Sequence, residues 1–245
     1  MESFDPGGCA AVIGATGGIG SALVQGLLES DTFASVFAFG RNIEPTIDSL
    51  AKPQWVRIDI TDEGSIRAAA ATLVDPVRLV IVATGALHGA ILGQPEKTYR
   101  ALDAVALLES YRINAVGPAI VAKHILPRLA PRGRSVFAVL SARVGSIGDN
   151  RAGGWHAYRA SKAALNMILR NLAIEVSRRA PETLCVGLHP GTVDTDLSAP
   201  FQRNVSAGRL FTPHQSAAHL LRVIDGLTAE HTGRVLDWEG KVIDP

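Results

Sequence analysis

The chain has 245 residues, of which 47% are hydrophobic and 19% charged, with 24 Lys+Arg against 23 Asp+Glu. That length and apolar content fit one α/β domain with a sizeable core and exclude a disordered chain. The formal net charge of +1 excludes a dedicated nucleic-acid binder, and two distant cysteines, Cys9 and Cys185, exclude a disulfide framework or a structural zinc site.

Short apolar runs alternate with helical patterns along the whole chain. Cys9 to Ile13 is an unbroken small and apolar run, as expected for a strand covered on both faces. Gly18 to Leu28 reads as a helix with Ile19, Leu23, Leu27 and Leu28 on one stripe. Val36 to Phe39 and Trp55 to Ile60 are the next two strands. Asp62 to Leu73 is a helix with two carboxylates at its positive end. Leu79 to Ala83 is a strand. Leu102 to Leu129 reads as one long helix bent at Pro118. Ser135 to Leu140 is a strand, Trp155 to Ser177 a helix apolar nearly all round, and Leu184 to Leu188 a strand. Pro213 to Leu227 is a helix and Arg234 to Leu236 a last strand. This order specifies an α/β fold: a single doubly wound parallel sheet of Rossmann type with helices on both faces, over residues 1–245. The irregular stretch 190–212 is expected to be a substrate loop, flanked by Phe201 and Phe211 as contacts for an apolar ligand. Trp155 is a candidate pocket wall.

The N-terminus, MESFDPGG, lacks a basic and apolar leader pattern, and no apolar run reaches membrane length. A cytoplasmic protein with no membrane partner is expected. A mean hydropathy of +0.19 points to a homo-oligomer that buries extra apolar surface. Seven histidines show no metal-ligand spacing, so no metal is expected.

Gly14-Ala-Thr16-Gly17-Gly18-Ile19-Gly20 falls at the first strand-to-helix turn. Glycines there permit the turn and a close backbone approach, and the helix N-terminus offers unpaired N–H groups to a pyrophosphate. The second strand ends in Gly40-Arg41-Asn42. An acidic residue there would hold a free ribose 2′-hydroxyl; the fork of Arg41 suits a 2′-phosphate instead. NADP(H) is therefore favoured, with NAD(H) the alternative. Of three tyrosines only Tyr158 has a lysine, Lys162, four residues on, which puts both on one helix face. A tyrosine with a pKa near 10 is a poor acid-base catalyst at neutral pH, and a neighbouring ammonium stabilises its phenolate. Such a pair could protonate a carbonyl oxygen while hydride reaches its carbon.

With its GxxxGxG spacing and Tyr158-Arg-Ala-Ser-Lys162, the chain resembles the short-chain dehydrogenase/reductase family. Ser-Ala-Arg-Val-Gly-Ser-Ile, Gly-Gly-Trp155-His-Ala-Tyr158, His189-Pro-Gly-Thr-Val-Asp-Thr-Asp-Leu and Asp237-Trp238-Glu-Gly240 are similar to its C-factor-like, or sniffer-like, carbonyl reductase branch. The resemblance runs from about Ala10 to about Gly240. It implies that Tyr158 is the general acid/base, that Lys162 also binds the nicotinamide ribose and that Asn114 holds a relay water. It implies an adenine site at Asp59 and Ile60, and backbone contacts to the adenosine ribose at Ala83, Thr84 and Gly85. In the segment from Pro190 and Gly191, the Val193 backbone would hold the carboxamide, and Thr195 would stand on the cofactor side. The substrate would be a small carbonyl or alcohol, and the assembly a homodimer or homotetramer.

The chain departs from the family at four places. Ile13 stands for a threonine, and Val82-Ala83-Thr84-Gly85 for Asn-Asn-Ala-Gly. Arg41 takes the acidic position of the NAD-type members. Ala142 occupies the place of the catalytic serine, for which Ser141, one residue early, and Ser146 are the candidates. The two rival functions are an NADP(H)-dependent oxidoreductase and an NADP(H)-binding signalling protein with weak catalysis.

Overall fold

The computed structural model describes residues 1–43, 53–74, 76–206 and 208–245; Ala207, inside the predicted loop 190–212, lies outside them. In chain order the elements are β1 (Cys9–Ile13), α1 (Gly18–Glu29), β2 (Ser35–Gly40), β3 (Gln54–Arg57), α2 (Glu63–Ala70) and β4 (Val77–Val82). They continue with α3 (Ala104–Tyr111), α4 (Gly117–Ile125), β5 (Ser135–Leu140), α5 (His156–Ser177), β6 (Thr183–His189) and the short β7 (Thr192–Val193) and β8 (Leu210–Phe211). They end with α6 (Pro213–Asp225), β9 (Val235–Asp237) and β10 (Val242–Ile243).

Eight strands form one sheet in the order β10-β9-β6-β5-β4-β1-β2-β3, and all neighbours are parallel except β10 on β9. The chain leaves β3 at one edge and returns to β4 beside β1. The strand order reverses there, which opens a crevice at the C-terminal ends of β1 and β4. The side-chain period of two sorts the strands onto two cores. Ala10, Val12, Leu79, Ile81, Val136 and Ala138 pack with α1 and α6, while Cys9, Ala11, Ile13, Val80, Val82 and Phe137 pack with α2, α4 and α5. At ~25 cal/mol per Å² of apolar area, these two faces dominate stability.

One expectation needs correction. The long helix over Leu102–Leu129 is split into α3 and α4 by a π-helical turn at Arg112–Val116, and it ends in a 3₁₀ turn at Leu126–Arg128. Pro118 contributes to the split because it has no N–H to return to the Asn114 carbonyl four residues back. The stretch 190–212 is irregular as expected, with only the two-residue strands β7 and β8 pairing within it and a 3₁₀ turn at Ala199–Asn204.

Candidate active site

The crevice begins at the glycine turn. Gly14 has φ +89°, and its N–H and that of Ala15 both donate to Phe39 O at 2.9 Å, tying the turn to β2. A Cβ on Gly20 would stand 2.0 Å from Gly14 O, so only hydrogen fits where α1 starts against its own turn. The N-cap, Gly17, has no side chain to cover the first N–H groups of α1, leaving them for an anion.

Gly14, Thr16, Gly17, Arg41, Asp59, Ile60, Ala83, Thr84 and Gly85 all line one cleft of about 280 Å³. Asp59 accepts hydrogen bonds from Thr61 Oγ1 (2.7 Å) and Thr61 N (2.9 Å). These two bonds, with Arg41 and Arg112 nearby, hold its carboxyl below the ordinary carboxylate range against the opposing effect of burial. Thr84 Oγ1, on the sheet side of the cleft, is enclosed without a protein partner. An uncapped helix start, a cationic fork at the end of β2 and an anionic site after β3 fit the pyrophosphate, ribose phosphate and adenine of a dinucleotide.

Arg112 and Glu109 also line this cleft, and the sequence reading missed them. Arg112 Nε and Nη2 donate to Glu109 at 2.7 and 2.8 Å, a bidentate pair. Their spacing of three on the helix leading to Asn114 was the available signal.

Ile19, Ser141, Tyr158, Pro190, Gly191, Val193 and Thr195 line a second cavity of about 230 Å³. Its walls are mostly apolar and include Leu87, Val144 and Trp155. Trp155 takes φ +50°, which aims its ring edge-on at Tyr158 (centroids 6.4 Å) and at Phe201 (5.0 Å). Phe201 thus joins the pocket wall. Phe211 turns away to Trp238 (5.4 Å) and His219 (5.1 Å) and lines a different cleft. Gly18 sits beneath Thr195: an added Cβ would meet Thr195 Cγ2 at 2.9 Å.

Lys162 and Asn114 stand behind Gly85, which lines the first cleft. A Cβ on Gly85 would lie 3.3 Å from Asn114 Oδ1 and 3.5 Å from Lys162 Nζ. Lys162 is buried, its Nζ donates to Leu140 O (2.8 Å), and it lies 5.8 Å from the Tyr158 ring centroid. Burial pulls the Lys162 ammonium down to about 8 and pushes the Tyr158 hydroxyl up to about 12. The Asn114 side chain is fully used. Its Oδ1 accepts from Ala86 N (2.9 Å), and its Nδ2 donates to Ala86 O (2.8 Å) and to the Ser110 and Ser161 hydroxyls (both 3.2 Å).

Neither candidate serine offers a free proton to this cavity. Ser141 Oγ donates to Asn166 Oδ1 on α5 at 2.6 Å. Ser146 Oγ accepts from Asp149 N (3.0 Å) and does not line the cavity. Ala142 does line it. Among the described residues no cluster of His, Cys, Asp or Glu could hold a metal ion, and no helix is long and apolar enough to cross a membrane.

A family model described as short chain dehydrogenase matches residues 8–206. The chain is 39% identical to the C-signal protein of Myxococcus xanthus over 139 residues, 57% of this chain and 78% of that one. It is 36% identical to 1-hydroxy-2-glutathionyl-2-methyl-3-butene dehydrogenase of Rhodococcus sp. strain AD45 over 186 residues, 75% and 76% of the two chains. Its fold matches the NADPH-bound carbonyl reductase from chicken fatty liver with a TM-score of 0.82 at 27% identity, covering 99% and 96% of the chains. The chain belongs to the short chain dehydrogenase family of oxidoreductases, on the branch that includes the C-signal protein.

Proposed function

We propose that the protein is an NADP(H)-dependent oxidoreductase that transfers hydride between the nicotinamide and a small carbonyl or alcohol substrate. The observation that carries this reading is the convergence of Tyr158 and Lys162 under a cavity that adjoins the dinucleotide-shaped cleft. Arg41, with no acidic residue at the end of β2, supports NADP(H) over NAD(H), as does the NADPH in the chicken carbonyl reductase. When bound, the cofactor supplies or accepts the hydride.

The protein's own residues do the rest. Gly14, Thr16, Gly17, Gly18, Ile19 and Gly20 receive the pyrophosphate; Arg41 holds the 2′-phosphate; Asp59 and Ile60 receive the adenine. Ala83, Thr84 and Gly85 would meet the adenosine ribose, and Pro190, Gly191, Val193 and Thr195 would hold the nicotinamide. Tyr158 gives its proton to the carbonyl oxygen, and the Lys162 ammonium stabilises the phenolate that remains. The committed side chain of Asn114 leaves its backbone carbonyl, which Pro118 deprives of the usual helix donor, as the group for a relay water.

Residues 1–245 act as one catalytic domain with 190–212 as the substrate loop. The assembly is a cytoplasmic homodimer or homotetramer; the exposed Val105, Leu108 and Met167 on α3 and α5 support the self-association. In Tyr158→Phe, turnover should fall at least ~100-fold with NADPH affinity unchanged; intact turnover would sink the mechanism. The missing hydroxyl at Ala142 and the likeness to C-signal favour the second reading, a signalling protein that binds the cofactor and turns over weakly. That reading predicts NADPH binding without reduction of any carbonyl in a broad panel.

A further inference from the structure

Carbonyl reduction needs more than one donor at the oxygen where negative charge develops. In this cavity the hydroxyls are largely spent. Ser141 donates to Asn166 Oδ1, and Ser198 and Thr195 donate to Val193 O. Ala142 has no hydroxyl. Besides Tyr158 and Thr192, the polar side chain that lines this cavity without a hydrogen-bond partner among the described residues is that of His189, at the sheet edge.

His189 is the last residue of β6. Leu140 of β5 pairs with Leu188, and Ser141 N donates to Leu188 O at 2.8 Å, so His189 stands level with Ser141 and next to the rung of Ala142. Its ring packs edge-on against Trp238 (centroids 5.7 Å) and lines the same cavity as Tyr158 and Ala142. Nδ1 is enclosed without a hydrogen-bond partner, which leaves Nε2 as the ring nitrogen that reaches open space. An enclosed N–H without an acceptor is rarer and costlier than an enclosed lone pair. The proton therefore belongs on Nε2. Burial, reinforced by Arg143 and opposed by Asp237, holds the imidazole at about 4, so it is neutral at physiological pH.

We propose that the Nε2–H of His189 supplies the second hydrogen bond to the substrate's carbonyl oxygen, in the place where Ala142 has no hydroxyl. His189 keeps its proton throughout; the transferred proton comes from Tyr158. This inference rests on Tyr158 as the proton donor, so Tyr158→Phe is assayed beside the His189 variants with NADPH and a reducible aromatic ketone or quinone.

His189→Phe keeps a ring against Trp238 and removes the donor. It should lower kcat about 100-fold with NADPH affinity unchanged. His189→Asn, which carries an amide N–H, should lose less. Ala142→Ser added to His189→Phe should restore at least about tenfold, because the hydroxyl returns where the family holds it. The proposal is overturned if His189→Phe keeps kcat within about threefold of wild type. It is equally overturned if His189→Asn is as slow as His189→Phe and Ala142→Ser restores nothing. If Tyr158→Phe is also active, the site reading itself has failed; if only the His189 variants are active, the failure is confined to His189.

Discussion

Lys162 is held where its charge is costly. Burial brings its pKa from 10.5 to about 8, so between these values the folded protein binds fewer protons than the unfolded chain. Stability must then rise with pH across that window, and below pH 8 the cost of the buried charge is fully present. The rise is on the order of 3 kcal/mol. Tyr158, raised from 10 to about 12, opposes this only above pH 10. Lys162→Met should therefore be inactive, yet more stable than wild type at pH 7, with the gap closing by pH 10; urea denaturation at both pH values reads it. In the proposed mechanism the same ionisation governs activity. The ammonium that stabilises the phenolate is lost as pH passes about 8, so kcat/KM for carbonyl reduction should decline above that pH. A rate that rises from pH 8 to pH 9.5 would contradict this role for Lys162. The pair was legible in the sequence because four residues on a helix make one face. The Ser141 hydroxyl was not, because at a strand end neither periodicity nor spacing says that it turns to Asn166, 25 residues on.

Helix α5 carries both groups of the proposed proton transfer but has no side-chain cap of its own. Its N-cap is Trp155, which has no side-chain oxygen. Glu96 substitutes from a distant loop: its backbone carbonyl accepts from Trp155 N, and its buried carboxylate accepts from Ala157 N at 3.3 and 3.4 Å. Glu96→Ala should cost about 1 kcal/mol of stability, as cap removal does, while Glu96→Gln keeps an acceptor and most of that stability; denaturation of both variants decides. Equal stability of all three proteins would mean that Glu96 does not cap the helix. Local patterning found the glycine turn and α5 because their signals lie within a few residues. It merged α3 and α4, since Asn114 is positioned by Ala86 and Ser161, partners that no window around the helix contains.

The alternation of strands and helices made the sheet and its switch point readable from periodicity. The two-residue strands β7, β8 and β10 carry no periodic signal, and their pairing is set by contacts between distant segments. Both cavities open at the same C-terminal edge of the sheet, and the stretch 190–212 touches the glycine turn through Thr195 over Gly18. A ligand seated there contacts β1, β2, β4 and the loop together, so it should stabilise the whole fold. At 100 times its Kd, NADPH should add about 2.7 kcal/mol and raise Tm. The most direct test of the account is calorimetric titration of wild type and Arg41→Ala with NADPH and NADH. NADPH should bind at least about tenfold more tightly than NADH, roughly 1.4 kcal/mol, and Arg41→Ala should erase the difference. Binding of neither nucleotide would contradict the cofactor site, and with it the oxidoreductase mechanism built on Tyr158.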